Sequence, residues 1–161
     1  MRQHRILLIE EKNAILTNVK AEFDLYLSKL FPVHLIRSYD IYMQTESFDL
    51  LIYEKNIYDI TQLEKAIQAI LQKLPQFGAE MTPIIFLSQA DPSQWANLHK
   101  STALPWLFDL LHPAHIKSLP IRVANLLRMR EQLLQLKMHT ALMKSLNERV
   151  QLIEETLKKR Q

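Results

Sequence analysis

The chain has 161 residues, 48% of them hydrophobic, which is enough for one globular domain with a full core. It has no cysteine, which excludes disulfide frameworks, Cys-ligated zinc and thiol nucleophiles, and its single glycine excludes glycine-rich phosphate loops. The net charge of +3 is uneven: residues 1–116 carry 10 basic and 13 acidic residues, whereas residues 117–161 carry 10 basic and 4 acidic residues.

Apolar runs and helical patterns alternate along the first part of the chain. Residues 5–9 form an aliphatic run that predicts a strand buried on both faces, and residues 13–30 have helical spacing. Residues 33–38 predict a second strand nearer an edge of the sheet. A short helix over residues 41–46 and a third strand over residues 49–53 follow.

The alternation continues beyond the third strand. Residues 60–74 have an apolar helical face, and residues 83–88 predict a fourth strand. Residues 92–100 predict a short helix with Asp91 as its N-cap, and residues 106–110 a fifth strand. This order predicts an α/β fold with a doubly wound parallel sheet.

The C-terminal segment differs, because residues 118–159 predict one helix of about 40 residues and about 60 Å. Ser118 is expected to cap this helix, and Pro120 falls in its first turn. Its apolar residues alternate by three and four, with one register slip around residues 139–140. This heptad seam consists of Leu126, Met129, Leu133, Leu136, Met143, Leu146, Val150, Ile153 and Leu157. We therefore expect residues 131–161 to form a coiled coil that joins two copies of the chain.

Acidic residues close two of the predicted strands. Glu10 and Glu11 follow the first strand, and Glu54 follows the third. Because the carboxyl ends of parallel strands meet at one edge of a sheet, these carboxylates predict an acidic pocket there.

The order of these features resembles the receiver domain of bacterial two-component response regulators over residues 4–130. In that family the acid pair holds Mg²⁺, and the position of Glu54 is a phosphorylated aspartate. The fourth strand ends in a hydroxyl residue, here Ser88, and the fifth in Lys-Pro, here His112-Pro113. The resemblance implies a flavodoxin-like (βα)5 fold with strand order 2-1-3-4-5.

Several positions depart from the family pattern. Glu54 moves the carboxylate outward by about 1.5 Å, and a misplacement of about 1 Å can cost on the order of 100-fold in rate. His112 replaces a lysine with a shorter group that is mostly neutral at pH 7. Gln89 replaces a small residue, and Asp109 stands where the family has its aromatic switch residue. We therefore expect no phosphorylation cycle, no enzyme activity and no bound cofactor.

Three alternatives remain at this level. The first is a metal-dependent receiver that is phosphorylated at Glu54, because Glu10, Glu11 and Glu54 are hard oxygen ligands that suit Mg²⁺. Glu54 as a fixed imitation of phosphoaspartate is another, although its single charge is below that of a phosphate. The third is a nucleic-acid-binding coiled coil. This is the weaker interpretation, because a solvated face of a coiled coil explains the basic residues of the helix better.

The expected function is a non-enzymatic signal-transduction module that acts through protein contacts. Its expected partners are a second copy and other signalling proteins or a C-terminal output domain, as in similar proteins where such a helix leads into a diguanylate cyclase. No run approaches the roughly 18 apolar residues of a membrane helix, and the composition suits the cytoplasm.

Overall fold

The structure is a computed structural model that describes residues 4–9, 25, 33–38, 48–73, 81–95 and 107–159. The described strands and helices are β1 (His4–Ile9), β2 (Val33–Ser38), β3 (Leu50–Glu54), α1 (Ile60–Lys73), β4 (Ile84–Leu87), β5 (Phe108–Leu111), a 3-10 helix (Pro113–Ser118) and α2 (Leu119–Lys158).

The five strands form one sheet in the order β2-β1-β3-β4-β5, and every neighbouring pair is parallel. In the central pairs Ile6 is opposite Leu50, and Leu51 is opposite Ile84. The predicted α/β class with a parallel sheet is thus confirmed. Both faces of the inner strands must be covered, which explains why these strands are almost uniformly aliphatic.

Each face of the sheet has its own apolar core. On one face, side chains such as Leu7, Leu51 and Phe86 pack with the inner stripe of α1. The stripe consists of Leu63, Ala66, Ile67 and Ile70. On the other face, alternate strand residues pack with Leu119, Val123, Leu126 and Leu127 of α2. Adjacent strand residues therefore serve opposite cores, as the two-residue period of a strand requires.

The predicted elements that fall on described residues are present within two residues at most ends. The fifth strand is displaced toward the C-terminus, from 106–110 to Phe108–Leu111. The predicted helices at 13–30 and 41–46 lie outside the described residues, as do residues 96–100 of the predicted short helix. Residues 92–95 form a 3-10 turn. The capping role of Asp91 is confirmed, because the Ser93 backbone N–H donates to its Oδ1 at 2.8 Å.

The start of α2 differs from the prediction. Ser118 occupies the N-cap position but makes no side-chain cap hydrogen bond. Its hydroxyl donates instead to the His115 carbonyl at 2.8 Å and accepts from Arg122 Nε at 3.1 Å. The 3-10 helix ends at Ser118 and α2 begins at the next residue, so the chain enters α2 from a helical turn and not from a loop. Pro120 lies in the first turn, as predicted.

The two halves of α2 have different surroundings. Its first half is held against the sheet, whereas every residue from 135 to 159 is exposed. Leu126 is only 7% exposed and belongs to the domain core, so its assignment to an intermolecular seam is wrong. Leu133 is half-buried. No helix among the described residues is long and apolar enough to cross a membrane.

Candidate functional site

Three residues of the predicted pocket lie along the carboxyl edge of the sheet. Glu54 ends β3, Ser88 follows β4 and His112 follows β5. The strand register places Glu54 opposite Leu87, and Leu87 opposite Leu111, so the three strand ends are level. The order of the strands therefore brings these residues to one edge, as the sequence predicts.

Glu54 is buried, with 7% of its surface exposed. A carboxylate at the end of a strand commonly projects into solvent, and the longer side chain of glutamate makes that easier. In this chain the side chain remains within the edge of the sheet. The acid pair Glu10 and Glu11, expected beside it, lies outside the described residues.

Ser88 is fully buried, and its hydroxyl has a structural role. The Oγ accepts hydrogen bonds from the Ile57 backbone N–H at 3.0 Å and from the Ala90 backbone N–H at 3.2 Å. These contacts fasten the loop that follows β3 to the loop that follows β4. The hydroxyl oxygen is thus committed to two buried N–H groups, whose loss of an acceptor would be costly.

Two further bonds join the same loops. The Gln89 backbone N–H donates to Asn56 Oδ1 at 2.9 Å, and the Trp95 indole N–H donates to the Ile57 carbonyl at 3.2 Å. Trp95 is buried, whereas Gln89 is exposed. The carboxyl edge is therefore held by a set of bonds that includes both backbone groups of Ile57.

His112 caps the 3-10 helix that follows β5. Its Nδ1 accepts from the Ala114 backbone N–H at 3.1 Å, which requires that nitrogen to be unprotonated. A lysine, which has no acceptor, cannot make this bond. The peptide bond between His112 and Pro113 is trans, as are all peptide bonds of the described residues.

Asp109 points toward α2. Its Oδ2 accepts from Arg122 Nη1 at 2.6 Å, and its Oδ1 accepts from the Leu110 backbone N–H at 2.8 Å. Arg122 also contacts Ser118, so β5, the 3-10 helix and α2 are joined through one guanidinium. Asp109 is thus held in an ion pair with Arg122.

Asp91 has a perturbed carboxyl group beside this edge. Hydrogen bonds from the Ser93 backbone N–H and then from the Ser93 hydroxyl hold the pKa of Asp91 below its ordinary value and outweigh the opposite effect of burial. Hydrogen bonds to the charged form have this effect on any carboxyl group.

Two clefts open near the carboxyl edge. One of about 390 Å³ lies beside β5, with the Asp109–Arg122 pair in its wall together with Pro92, Trp95 and His115. The other, of about 470 Å³, lies between the loop after β3 and α1. Among the residues that the structure describes, no group of three His, Asp or Glu side chains is placed to hold a metal ion.

The opposite edge of the sheet holds a cluster that the sequence interpretation missed. Arg130 of α2 is 3% exposed, and its Nη1 lies 2.6 Å from Oδ1 of Asp49, which precedes β3. Asp49 Oδ2 also accepts from the Arg5 backbone N–H at 2.9 Å. The ring of His4 lies between two carboxylates, with 3.8 Å to Asp49 and 3.8 Å to Glu131.

This cluster corrects the view of the basic residues of α2 as one solvated face. Arg130 follows Val123, Leu126 and Leu127 at helical spacings of seven, four and three residues, so it lies on the stripe that faces the sheet. The same spacing in the sequence indicates that Arg130 shares a helix face with these apolar residues. Arg122, with its bond to Asp109, is also only partly solvated.

No protein-family model matches the chain, and no curated protein matches its sequence.

Proposed function

We propose that this chain is a non-enzymatic signal-transduction module, namely a phosphorylation-incompetent receiver domain with a flavodoxin-like fold. It acts through protein–protein contacts and forms a homodimer through α2. The strand order β2-β1-β3-β4-β5 and the helices on both faces of the sheet support the flavodoxin-like part of this proposal.

The observation that carries the proposal is the state of Ser88. A phosphorylated receiver needs its hydroxyl position open to the phosphoryl group, but this hydroxyl is fully buried and accepts from Ile57 and Ala90. Phosphoryl transfer depends on positioned, charge-stabilising groups around the acceptor. A hydroxyl group that is bonded to two loops is not available to stabilise the charge of a phosphoryl group.

The neighbouring positions support the same conclusion. His112 uses Nδ1 to cap a helix, and Asp109 is paired with Arg122, so neither is arranged to contact a phosphoryl group at Glu54. The side chains of His112 and Asp109 each have a structural contact of their own. This favours a fixed domain over a receiver held in the activated state by Glu54.

Protein contacts are the activity that remains, and the exposed surface offers two places for them. One is the α1 side of the carboxyl edge, where Tyr58 is exposed beside the 470 Å³ cleft. The other is the free half of α2, whose apolar residues have no covering among the described residues. Burial of such residues against a second helix is favourable by about 25 cal/mol per Å² of apolar surface.

Incubation with Mg²⁺ and either acetyl phosphate or beryllofluoride tests the phosphorylation half of the proposal. The expected result is an unchanged mass and no bound fluoride signal. A mass increase of one phosphoryl group, lost in the Glu54→Gln variant, would establish the metal-dependent receiver instead. Light scattering at tens of micromolar protein tests the other half, with a dimer as the expected result and a monomer as the contrary one.

A further inference from the structure

The free half of α2 has a single uninterrupted heptad register once the domain-facing residues are removed from it. With Leu126 in the core and Leu133 half-buried, the apparent slip in the apolar spacing disappears. Positions a and d then run without a break from residue 136 to residue 157. The seven seam positions are Leu136, His139, Met143, Leu146, Val150, Ile153 and Leu157.

The seam faces away from the domain. At about 100° per residue, the seam lies on roughly the opposite side of α2 from the stripe that holds Val123, Leu127 and Arg130. The six apolar seam residues are 52–62% exposed, so they are open to a second helix. A second helix can therefore lie along the seam without touching the sheet of either copy.

Charges beside the seam select the orientation of that helix. Arg149 and Glu154 occupy positions g and e, five residues apart. In a parallel, in-register pair each Arg149 faces Glu154 of the second copy, and this contact is made twice by symmetry. An antiparallel pair places g positions opposite g positions and e positions opposite e positions, so Arg149 and Glu154 no longer face each other. The complementary charges thus favour a parallel second copy.

His139 is the one polar member of the seam, at a d position. In the parallel pair the two imidazoles face each other between the layers of Leu136 and Met143. We propose that this histidine pair makes the dimer of the proposed function respond to protons, with the neutral rings compatible with the closed seam and two imidazolium ions forcing it apart. Histidine changes charge between about pH 5 and pH 8.

The groups around His139 leave the two positive charges uncompensated. On its own helix the neighbours three and four residues away are Gln135, Leu136, Leu142 and Met143, and the second copy presents the same uncharged residues. Lys137 and Lys144, the nearest charges, are also positive. No other element packs against His139 in the part of the chain that the structure describes, where this residue is exposed. Like charges brought together in a partly dry seam repel strongly.

Sedimentation of the full chain between pH 7.5 and pH 5.5 tests the inference. We expect the dimer dissociation constant to rise at least 10-fold over this range, with the far-UV circular dichroism of the domain retained. The His139→Leu variant should remain dimeric at both pH values. His115→Gln, which changes an exposed histidine outside the seam, should keep the pH response.

The outcomes separate this inference from the proposed function on which it rests. A dimer whose dissociation constant is the same at both pH values, or a response that survives in His139→Leu, overturns the proton-sensitive pair and leaves the dimer intact. A monomer at pH 7.5 removes the dimer and this inference together, while the phosphorylation result stands on its own.

Oxidative cross-linking checks the register independently, because the chain has no native cysteine. Leu146→Cys places one thiol at a d position, where two parallel copies bring the sulfur atoms together. It should form a covalent dimer, whereas Glu148→Cys on the outer face should not. Equal cross-linking of both variants, or of neither, would contradict the parallel in-register seam.

Discussion

Asp49 and Arg130 form a buried ion pair that ties α2 to the amino edge of the sheet, with 2.6 Å between Oδ1 and Nη1 and about 4% exposure for each side chain. The two residues are 81 positions apart in the chain. A buried pair is weak evidence for net stability, but removal of one partner leaves an uncompensated charge.

Arg130→Met should therefore destabilise the protein by about 3–5 kcal/mol, because it leaves the buried Asp49 carboxyl group without its guanidinium partner. Urea denaturation measures this change. Arg128→Met, on the exposed side of the same helix, should stay within about 0.5 kcal/mol. The Asp49→Asn and Arg130→Met double variant should lose less than the sum of the single changes, and simple additivity would show that the two residues are not coupled.

Ser88→Ala should cost about 1–3 kcal/mol in the free energy of unfolding, because the Ile57 and Ala90 N–H groups lose their acceptor. Ser145→Ala on the exposed half of α2 is the matched control and should be neutral or slightly stabilising. A Ser88→Ala variant as stable as the parent would mean that the hydroxyl is dispensable to the fold, and would reopen its role as a pocket residue.

Substitutions of His112 test whether its main role is to cap the 3-10 helix. His112→Ala should lose about 0.5–2 kcal/mol, and His112→Asn, which keeps a side-chain acceptor, should lose less. His112→Lys introduces the residue of the proposed receiver pattern but has no acceptor, so it should be about as unstable as the alanine variant. If the lysine variant is instead fully stable and binds beryllofluoride, the pocket is closer to function than its contacts indicate.

Asp91 should titrate below the ordinary aspartate pKa of about 3.9 when its carboxyl resonance is followed by NMR. A lowered pKa in the folded state contributes stability above the unfolded pKa, and this contribution is lost as the pH falls through the folded value. Ser93→Ala removes only the hydroxyl contact, so the pKa should rise in part and remain lowered. Full recovery in that variant would assign the effect to the side chain alone.

Aspartate substitutions on the two sides of α2 should have opposite outcomes. Leu127→Asp places a charge in the core and should unfold the domain, since an unpaired buried charge is among the most costly changes. Leu146→Asp lies on the exposed seam and should leave the circular dichroism of the domain unchanged while it gives a monomer by light scattering. A dimer that survives Leu146→Asp must use another surface.

The local patterns of the sequence were sufficient for the described strands and for α1, because each follows from burial on a regular spacing. They were not sufficient for Arg130 or Leu126, since a helix carries the same spacing whether its stripe faces a sheet or a second helix. Only the position of the sheet shows that Leu126 faces inward. In the candidate site, the predicted strand ends were sufficient to place Glu54, Ser88 and His112 at one edge of the sheet. The hydrogen bonds of this edge could not be predicted, because they depend on loop conformations that residue spacing does not encode.

The Asp49–Arg130 ion pair holds α2 within the first third of its length, so the helix beyond it can act as a lever. About 27 residues, or about 40 Å of rigid rod, separate Arg130 from Leu157, so a tilt of about 5° at the clamp would move the far end by about 3–4 Å. A small shift at the amino edge of the sheet would therefore produce a larger displacement at the far end of the helix and of any partner bound there.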